Sequence, residues 1–150
     1  MDLILWRHAD AEDGIPDSQR KLTTKGQKQA AKIAAWLKGR LAADARILVS
    51  PSTRTQQTAT ALERPFETVA AVGPGASYAA ILSASGWPER NGMVVIVGHQ
   101  PTLGETAAWL LSGEAAGWTI KKGALWWFTN RVRSGESETV LRAVVAPDLV

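Results

Sequence analysis

The stretch "LILWRHADAE", residues 3–12, is an apolar run that stops abruptly at a basic pair. Leu3–Trp6 is apolar at every position, which is typical of a strand buried on both faces of a parallel sheet. Arg7 and His8 follow directly, and the polar segment after them predicts a loop over residues 10–23. The strand therefore brings a cation and an imidazole to one edge of the predicted sheet.

Two further apolar runs end in polar and basic residues in the same way, namely Arg46–Val49 before Ser50-Pro51-Ser52-Thr53-Arg54, and Met93–Val97 before Gly98-His99. The carboxyl ends of parallel strands lie along one edge of an open sheet, and ligands bind there. Both histidines of the chain follow such strands. We therefore expect the basic residues at these strand ends to converge, namely Arg7, His8, Arg54 and His99.

Helix-start signals lie between the strands. A capping-box pattern at Thr24 and Gln27 predicts the first helix, whose apolar stripe continues to Leu41. Ser50 as the N-cap, with Pro51 at the first helical position, predicts the second helix. This alternation of strands and helices predicts a mostly parallel sheet with helices on both faces.

The remaining segments complete the predicted fold. They are a third strand over Phe66–Val72, a short helix over Ser77–Ser85, a helix from a Thr102/Glu105 capping box to about Leu111, and a hairpin of Ala124–Thr129 and Glu138–Val145 around Ser134-Gly135. The expected class is α/β, with three α/β/α layers, a mostly parallel central sheet and an antiparallel C-terminal hairpin. A chain of 150 residues buries about two-thirds of its unfolded surface, so we expect one domain over residues 1–150.

Composition excludes several classes of function. With 17 basic and 14 acidic residues the net charge is +3, and the basic residues are scattered, so we expect no nucleic-acid partner. The absence of cysteine excludes disulfides and thiolate nucleophiles. A chain without disulfides is compatible with the cytoplasmic location that we expect. The N-terminal apolar run is too short for a signal peptide or a membrane helix. The two histidines lack the spacing of a metal-ligand pair, so we expect neither a metal nor a cofactor.

The chemistry expected at the sheet edge is that of phosphate. Arginine offers paired donors that match phosphate oxygens, and helix N-termini add backbone N–H groups. Histidine is the candidate nucleophile because its pKa of roughly 6.5 leaves it largely neutral near pH 7, and the serines near Arg54 lack an obvious base. An imidazole attacks phosphorus in line, forms a phosphohistidine and passes the phosphoryl group to water. The alternatives are a structural role for His8 and a solvent-exposed position for Arg54.

The residues at the strand ends resemble the histidine phosphatase superfamily, whose fold is phosphoglycerate mutase-like, and within it the SixA-type phosphohistidine phosphatases. The matching segments are Arg7-His8-Ala9-Asp10, Arg20-Lys21-Leu22-Thr23-Thr24-Lys25-Gly26, Ser50-Pro51-Ser52-Thr53-Arg54-Thr55 and Gly98-His99-Gln100-Pro101. The family's Arg-His-Gly motif has alanine at position 9 here. The resemblance implies that His8 is the nucleophile and that four residues bind phosphate, namely Arg7, Arg54, His99 and, through its backbone N–H, Gln100. It implies a place for Arg20 at the pocket mouth, where a plain surface position before the helix is the alternative.

The expected site lacks an evident proton donor. Larger members of the superfamily carry an acidic one, whereas the carboxyl groups nearest this site lie in the first loop, namely Asp10, Glu12, Asp13 and Asp17. Asp10 and Asp17 are candidates for the pocket mouth. Expelling an alkoxide requires a proton, and general acid catalysis contributes roughly 10²–10⁴-fold. Expelling an imidazole, with a pKa near roughly 6.5, requires far less help, so the sequence favours P–N over P–O cleavage.

Three functions follow as hypotheses. The first is a phosphatase acting on a phosphohistidine-bearing protein, such as a phosphorelay or phosphotransfer protein. The second is a phosphomonoesterase acting on a small molecule, which would need Asp10 or Asp17 as its acid. The third is a phospho-ligand binding module without turnover, although binding alone would require cations and no nucleophile.

Overall fold

The structure, a computed structural model, describes residues 1–150 and contains one six-stranded sheet. Its strands in chain order are β1 (Asp2–Arg7), β2 (Arg46–Val49), β3 (Glu67–Thr68), β4 (Met93–Gly98), β5 (Leu125–Arg133) and β6 (Glu136–Val145). Their order across the sheet is β3-β2-β4-β1-β5-β6. The two strands that precede the histidines, β1 and β4, therefore lie side by side at the centre.

The strand pairings confirm the predicted mixed sheet. β1 and β4 run parallel in a register that extends from Asp2 opposite Met93 to Arg7 opposite Gly98. β2 is parallel to both β3 and β4, whereas β5 pairs antiparallel with β1 and with β6. The parallel strands thus end at a common edge.

Four helices cover the two faces of this sheet, namely α1 (Thr24–Lys38), α2 (Thr53–Thr60), α3 (Tyr78–Ser85) and α4 (Thr102–Ser112). On one face, Ile33 of α1 packs in a core cluster with Trp6 of β1 and with Ala59 of α2. On the other face, Leu103 of α4 packs in a second cluster with Leu5 of β1 and with α3. Adjacent residues of each strand point to opposite faces, so the runs that are apolar at every position build both cores. No helix is long and apolar enough to cross a membrane.

Two predicted helix starts differ from the structure. The N-cap of α1 is Thr23, whose hydroxyl accepts a hydrogen bond from the Gly26 N–H at 2.9 Å, so the predicted capping box begins one residue too late. α2 begins after Ser52 and has no side-chain cap. The prediction of Ser50 as its N-cap is wrong because the Ser50 hydroxyl contacts the ring of His99 instead.

The predicted Thr102/Glu105 capping box is also wrong. The Thr102 hydroxyl donates to the carbonyl of Ala76 at 2.6 Å, and the side chain of Gln100 accepts from the Gly104 N–H at 2.8 Å. The side chain of Gln100, which precedes the helix, thus provides a hydrogen-bond acceptor for a backbone N–H in the first turn of α4.

The predicted third strand, over Phe66–Val72, is shorter than expected. β3 contains only Glu67 and Thr68, and a 3₁₀ turn at Ala70–Val72 follows it. β3 lies at the edge of the sheet and pairs only with the last two residues of β2, so the sheet supports no longer strand.

A close backbone contact holds the first loop against α1. A Cβ atom on Gly26 would lie 1.9 Å from the carbonyl oxygen of Asp10, so only glycine permits this approach. The same carbonyl accepts a hydrogen bond from the Thr23 N–H at 3.0 Å. Ala9 is fully buried and packs with Leu22, so the fold accommodates the alanine that replaces the family's glycine.

Candidate active site

The carboxyl ends of the central strands bring the two histidines together. The His8 N–H donates to the carbonyl of Gly98 at 3.1 Å, and the Ser50 N–H donates to the carbonyl of Val97 at 3.1 Å. The rings of His8 and His99 lie with their centroids 5.4 Å apart and their planes tilted by 55°. The predicted convergence of these residues therefore follows from the sheet order.

His8 is held in one tautomer. Its residue surface is only 7% exposed, and its Nδ1 lies 2.8 Å from the carbonyl oxygen of Ala9. Because a carbonyl oxygen only accepts, Nδ1 carries the proton and Nε2 keeps its lone pair. Burial lowers the pKa of His8 to about 4, with help from the charges of Arg54, Arg7 and Arg20, while the Ala9 carbonyl acts in the opposite direction. The ring is therefore neutral at pH 7.

His99 is also buried and neutral. Its Nε2 lies 2.7 Å from the hydroxyl oxygen of Ser50, which is itself fully buried. Burial, followed by the positive charge of Arg54, lowers the pKa of His99 to about 3. Sequence reasoning missed this role of Ser50, because a serine before a helix carries the same local signal whether it caps the helix or supports a histidine.

The two predicted arginines are anchored by carbonyl groups. Nη1 of Arg7 donates to the carbonyl of Ile120 at 2.8 Å, and burial lowers the pKa of Arg7. Nη1 of Arg54 donates to the carbonyl of Asp17 at 2.9 Å, and Nη2 lies 3.1 Å from the carboxylate of Asp17. The sequence carried no signal for the contact at Ile120, which lies 113 positions from Arg7.

Three buried polar atoms lack a hydrogen-bond partner within the protein, and all belong to these residues: Nε of Arg7, Nε of Arg54 and Nδ1 of His99. An unpaired buried polar group costs about 1–3 kcal/mol. The two guanidinium Nε atoms are donors, and Nδ1 of His99 is a third donor when it carries the ring proton. Such a group of atoms suits a compact anion with several acceptor oxygens, such as a phosphoryl group.

Arg20 and Asp17 lie together beside the site. Arg20 donates to the carbonyl of Glu12 at 2.8 Å and to the carboxylate of Asp17 at 3.1 Å. The hydrogen bond from Arg20 lowers the pKa of Asp17, and the charge of Arg54 adds to this effect.

Asp10 has different partners. The Thr23 hydroxyl donates to it at 2.7 Å and the Lys122 ammonium at 3.1 Å, and these two hydrogen bonds lower its pKa. Asp10 and Asp17 are therefore both carboxylates near neutral pH.

The side chain of Gln100 is occupied by two hydrogen bonds within the protein. It accepts from the Gly104 N–H and donates to the Trp118 carbonyl at 3.0 Å, so only its backbone remains a candidate for phosphate binding.

Comparisons with known proteins agree with this geometry. The sequence model of the histidine phosphatase superfamily (branch 1) matches residues 3–75. Phosphohistidine phosphatase SixA of Escherichia coli (strain K12) is 33% identical over 127 residues, covering 76% of each chain. The phosphohistidine phosphatase SixA homolog of Haemophilus influenzae is 32% identical over 124 residues, covering 72% of this chain and 76% of that protein. The structure of protein histidine phosphatase SixA complexed with tungstate aligns with a TM-score of 0.79 and 27% identity, covering 99% of each chain.

The chain therefore belongs to the histidine phosphatase superfamily and is of the SixA type. It is a phosphatase, hence a hydrolase, and the family resemblance drawn from its sequence is confirmed. The alignment with the tungstate complex over nearly the whole chain also confirms the predicted phosphoglycerate mutase-like α/β fold.

Proposed function

We propose that this protein, as one histidine phosphatase domain over residues 1–150, removes the phosphoryl group from phosphohistidine on a protein substrate. The observation that carries the proposal is the hydrogen bond from Nδ1 of His8 to the Ala9 carbonyl, which leaves the Nε2 lone pair available in a neutral ring. The E. coli relative bears the name phosphohistidine phosphatase, which supports the same substrate class. The proposed partner is a phosphorelay or phosphotransfer protein.

In the first step, Nε2 of His8 attacks phosphorus in line. A new P–N bond forms as the P–N bond to the substrate imidazole breaks, and that imidazole takes up a proton from solvent as it leaves. Arg7 and Arg54 donate to the equatorial oxygens, whose charge they stabilise. The phosphorylated ring carries positive charge, which the Ala9 carbonyl stabilises through Nδ1.

His99 completes the set of donors in this proposal. For its neutral ring to donate through Nδ1 to a phosphoryl oxygen, Nε2 must accept a hydrogen bond from the Ser50 hydroxyl, which lies 2.7 Å away. The backbone N–H of Gln100 provides a further donor. In the second step, water attacks phosphorus, the bond to Nε2 of His8 breaks, and phosphate and a proton leave.

The state of the nearby acids supports P–N rather than P–O cleavage. Asp10 and Asp17 both have lowered pKa values because cations and a hydroxyl donate to their carboxylates. A carboxylate cannot protonate a leaving alkoxide, whereas an imidazole with a pKa of roughly 6.5 leaves without a dedicated acid. A phosphomonoesterase would need one of these carboxyls to be protonated.

The test is a paired rate measurement. A phosphohistidine peptide, a phosphoserine peptide and a sugar phosphate are compared as substrates of the wild type, of His8→Ala, and of Lys38→Ala as a variant on a distant surface. We expect a strong preference for phosphohistidine that is lost only in His8→Ala, together with an acid-labile, alkali-stable phosphoenzyme. Equal or faster turnover of the esters would overturn the P–N assignment, and a wild type that hydrolyses no substrate and forms no phosphoenzyme would indicate a binding module.

A further inference from the structure

A polar groove begins at the site and extends along α1. A cavity of about 500 Å³ is lined by Arg7 together with Lys25, Lys121 and Lys122. An adjoining cavity of about 400 Å³ shares Lys25 and continues past two more lysines of α1, Lys28 and Lys32. Neither cavity has a hydrophobic or aromatic lining residue. We refer to the five lysines, Lys25, Lys28, Lys32, Lys121 and Lys122, as the lysine groove.

The lysine groove holds a concentrated excess of positive charge. Only two carboxylates line it, Asp10 and Asp148, and these pair with Lys122 at 3.1 Å and with Lys121 at 3.9 Å. With Arg7, six cations and these two carboxylates line the two cavities, which gives a net charge of +4, whereas the whole chain carries +3. The positive charge of the chain is therefore concentrated in the groove, and so is its long-range attraction for anions.

The three lysines of α1 form no ion pair. Lys25, Lys28 and Lys32 are exposed, take part in no ion pair, and lie three and four positions apart on one helix face. From Lys25 to Lys32 this face extends about 10 Å along the helix axis. The first turn of α1 contains a lysine and no acidic residue, which opposes the helix dipole. No ion pair therefore explains why these three charges lie on one face of α1.

We propose that the lysine groove docks an acidic surface of the protein that carries the phosphohistidine, an inference that rests on the proposed function. The groove starts at Arg7, so a partner bound along α1 presents its phosphohistidine to His8. Carboxylate side chains match the separate lysine charges, whereas single-stranded nucleic acid is bound by stacking on aromatic residues, which the groove lacks.

The test separates docking from chemistry by using two substrates. The variant Lys25→Gln/Lys28→Gln/Lys32→Gln is compared with Lys38→Gln/Arg90→Gln/Arg133→Gln, which removes the same charge from distant surfaces. One substrate is an acidic histidine-phosphotransfer domain phosphorylated with phosphoramidate, and the other is phosphohistidine as the free amino acid. For the groove variant we expect KM for the domain to rise about tenfold at low salt, with kcat and turnover of the free amino acid unchanged. The control variant behaves as the wild type, and added salt reduces the difference.

A binding measurement keeps the two proposals distinguishable. The Kd for the unphosphorylated acidic domain is measured by fluorescence anisotropy for the wild type and both variants. Equal Kd values for the wild type and the groove variant would overturn docking, whether or not the protein hydrolyses phosphohistidine. Failure of the wild type to hydrolyse either substrate would overturn the proposed function, while a weaker Kd in the groove variant would still support the docking surface. Tighter binding of a single-stranded RNA than of the domain would assign the groove to nucleic acid instead.

Discussion

The hydroxyl oxygen of Ser50 lies 2.7 Å from Nε2 of His99 and joins the segment after β2 to the segment after β4. Ser50 is itself held firmly, because its carbonyl accepts hydrogen bonds from the Thr55 hydroxyl at 2.8 Å and from the Gln56 amide at 2.9 Å. The contact therefore orients the His99 ring within the site.

Replacement of Ser50 by alanine tests this orienting role. We expect kcat/KM for phosphohistidine to fall about tenfold, because an unpaired buried polar group costs about 1–3 kcal/mol. Steady-state kinetics with separate kcat and KM values provide the measurement. Ser52→Ala is the matched control, since its hydroxyl caps no helix and is expected to be dispensable. Equal activity of the two variants would contradict the role of Ser50.

The pH dependence of activity tests the state of the nucleophile. Burial and the surrounding arginines lower the pKa of His8 to about 4, so its ring stays neutral well below pH 6.5. We expect kcat/KM for phosphohistidine to remain level from pH 8 to about 5 and to fall below that. Parallel measurements with His8→Ala correct for spontaneous hydrolysis. An acidic midpoint near 6.5 would show that His8 titrates as an ordinary histidine.

The stability of the fold should also depend on pH, because burial lowers the pKa values of both histidines. The pKa values of His8 and His99, about 4 and about 3, lie below the ordinary value of 6.5. The unfolded chain therefore binds more protons than the folded chain as the pH falls below 6.5, and the free energy of unfolding decreases from there toward pH 4. Urea denaturation at pH 7.5, 5.5 and 4.5 measures this decrease. In His99→Gln the decrease should be smaller, and an unchanged slope would exclude a contribution from His99.

The Asp17 carboxylate lies 3.1 Å from Nη2 of Arg54, so we expect it to compete with the substrate for this guanidinium. In Asp17→Asn we expect inorganic phosphate to inhibit at about threefold lower concentration, because the ion pair between the exposed Asp17 carboxylate and the buried Arg54 guanidinium is removed. Phosphohistidine turnover should persist, since the Asp17 backbone carbonyl still anchors Arg54. Asp13→Asn, in the same loop without an ion pair, is the control. A selective loss of ester hydrolysis in Asp17→Asn would identify Asp17 as a general acid instead.

Gly26→Ala tests the contact between the first loop and α1. The added Cβ atom would lie 1.9 Å from the Asp10 carbonyl oxygen, so the backbone must shift. We expect the free energy of unfolding to fall by about 1–3 kcal/mol, measured by urea denaturation. Gly39→Ala meets no atom within 4 Å and should leave stability nearly unchanged. Similar effects at the two glycines would contradict a specific loop contact.

Sequence patterns predicted the elements that lie in the core. Arg46–Val49 has the predicted bounds, and the runs at Leu3–Trp6 and Met93–Val97 form the two central strands. Such runs are apolar at every position because helices cover both faces, and this signal is independent of the rest of the chain. The length of β3 was overestimated because Ala70–Val72 form a 3₁₀ turn instead, in which Val72 is buried in the second core cluster.

The sequence by itself determined that three buried strands would end in basic and imidazole groups, and parallel topology then implied that Arg7, His8, Arg54 and His99 converge. Only the tertiary structure decided which partner each polar group takes. The local sequence predicted Ser50 and Thr102 as helix N-caps. In the structure, however, the Ser50 hydroxyl forms a hydrogen bond with the His99 ring, and the Thr102 hydroxyl donates to the Ala76 carbonyl. Local sequence specifies the hydrogen-bonding groups a segment offers, whereas packing decides which distant groups come close enough to compete for them.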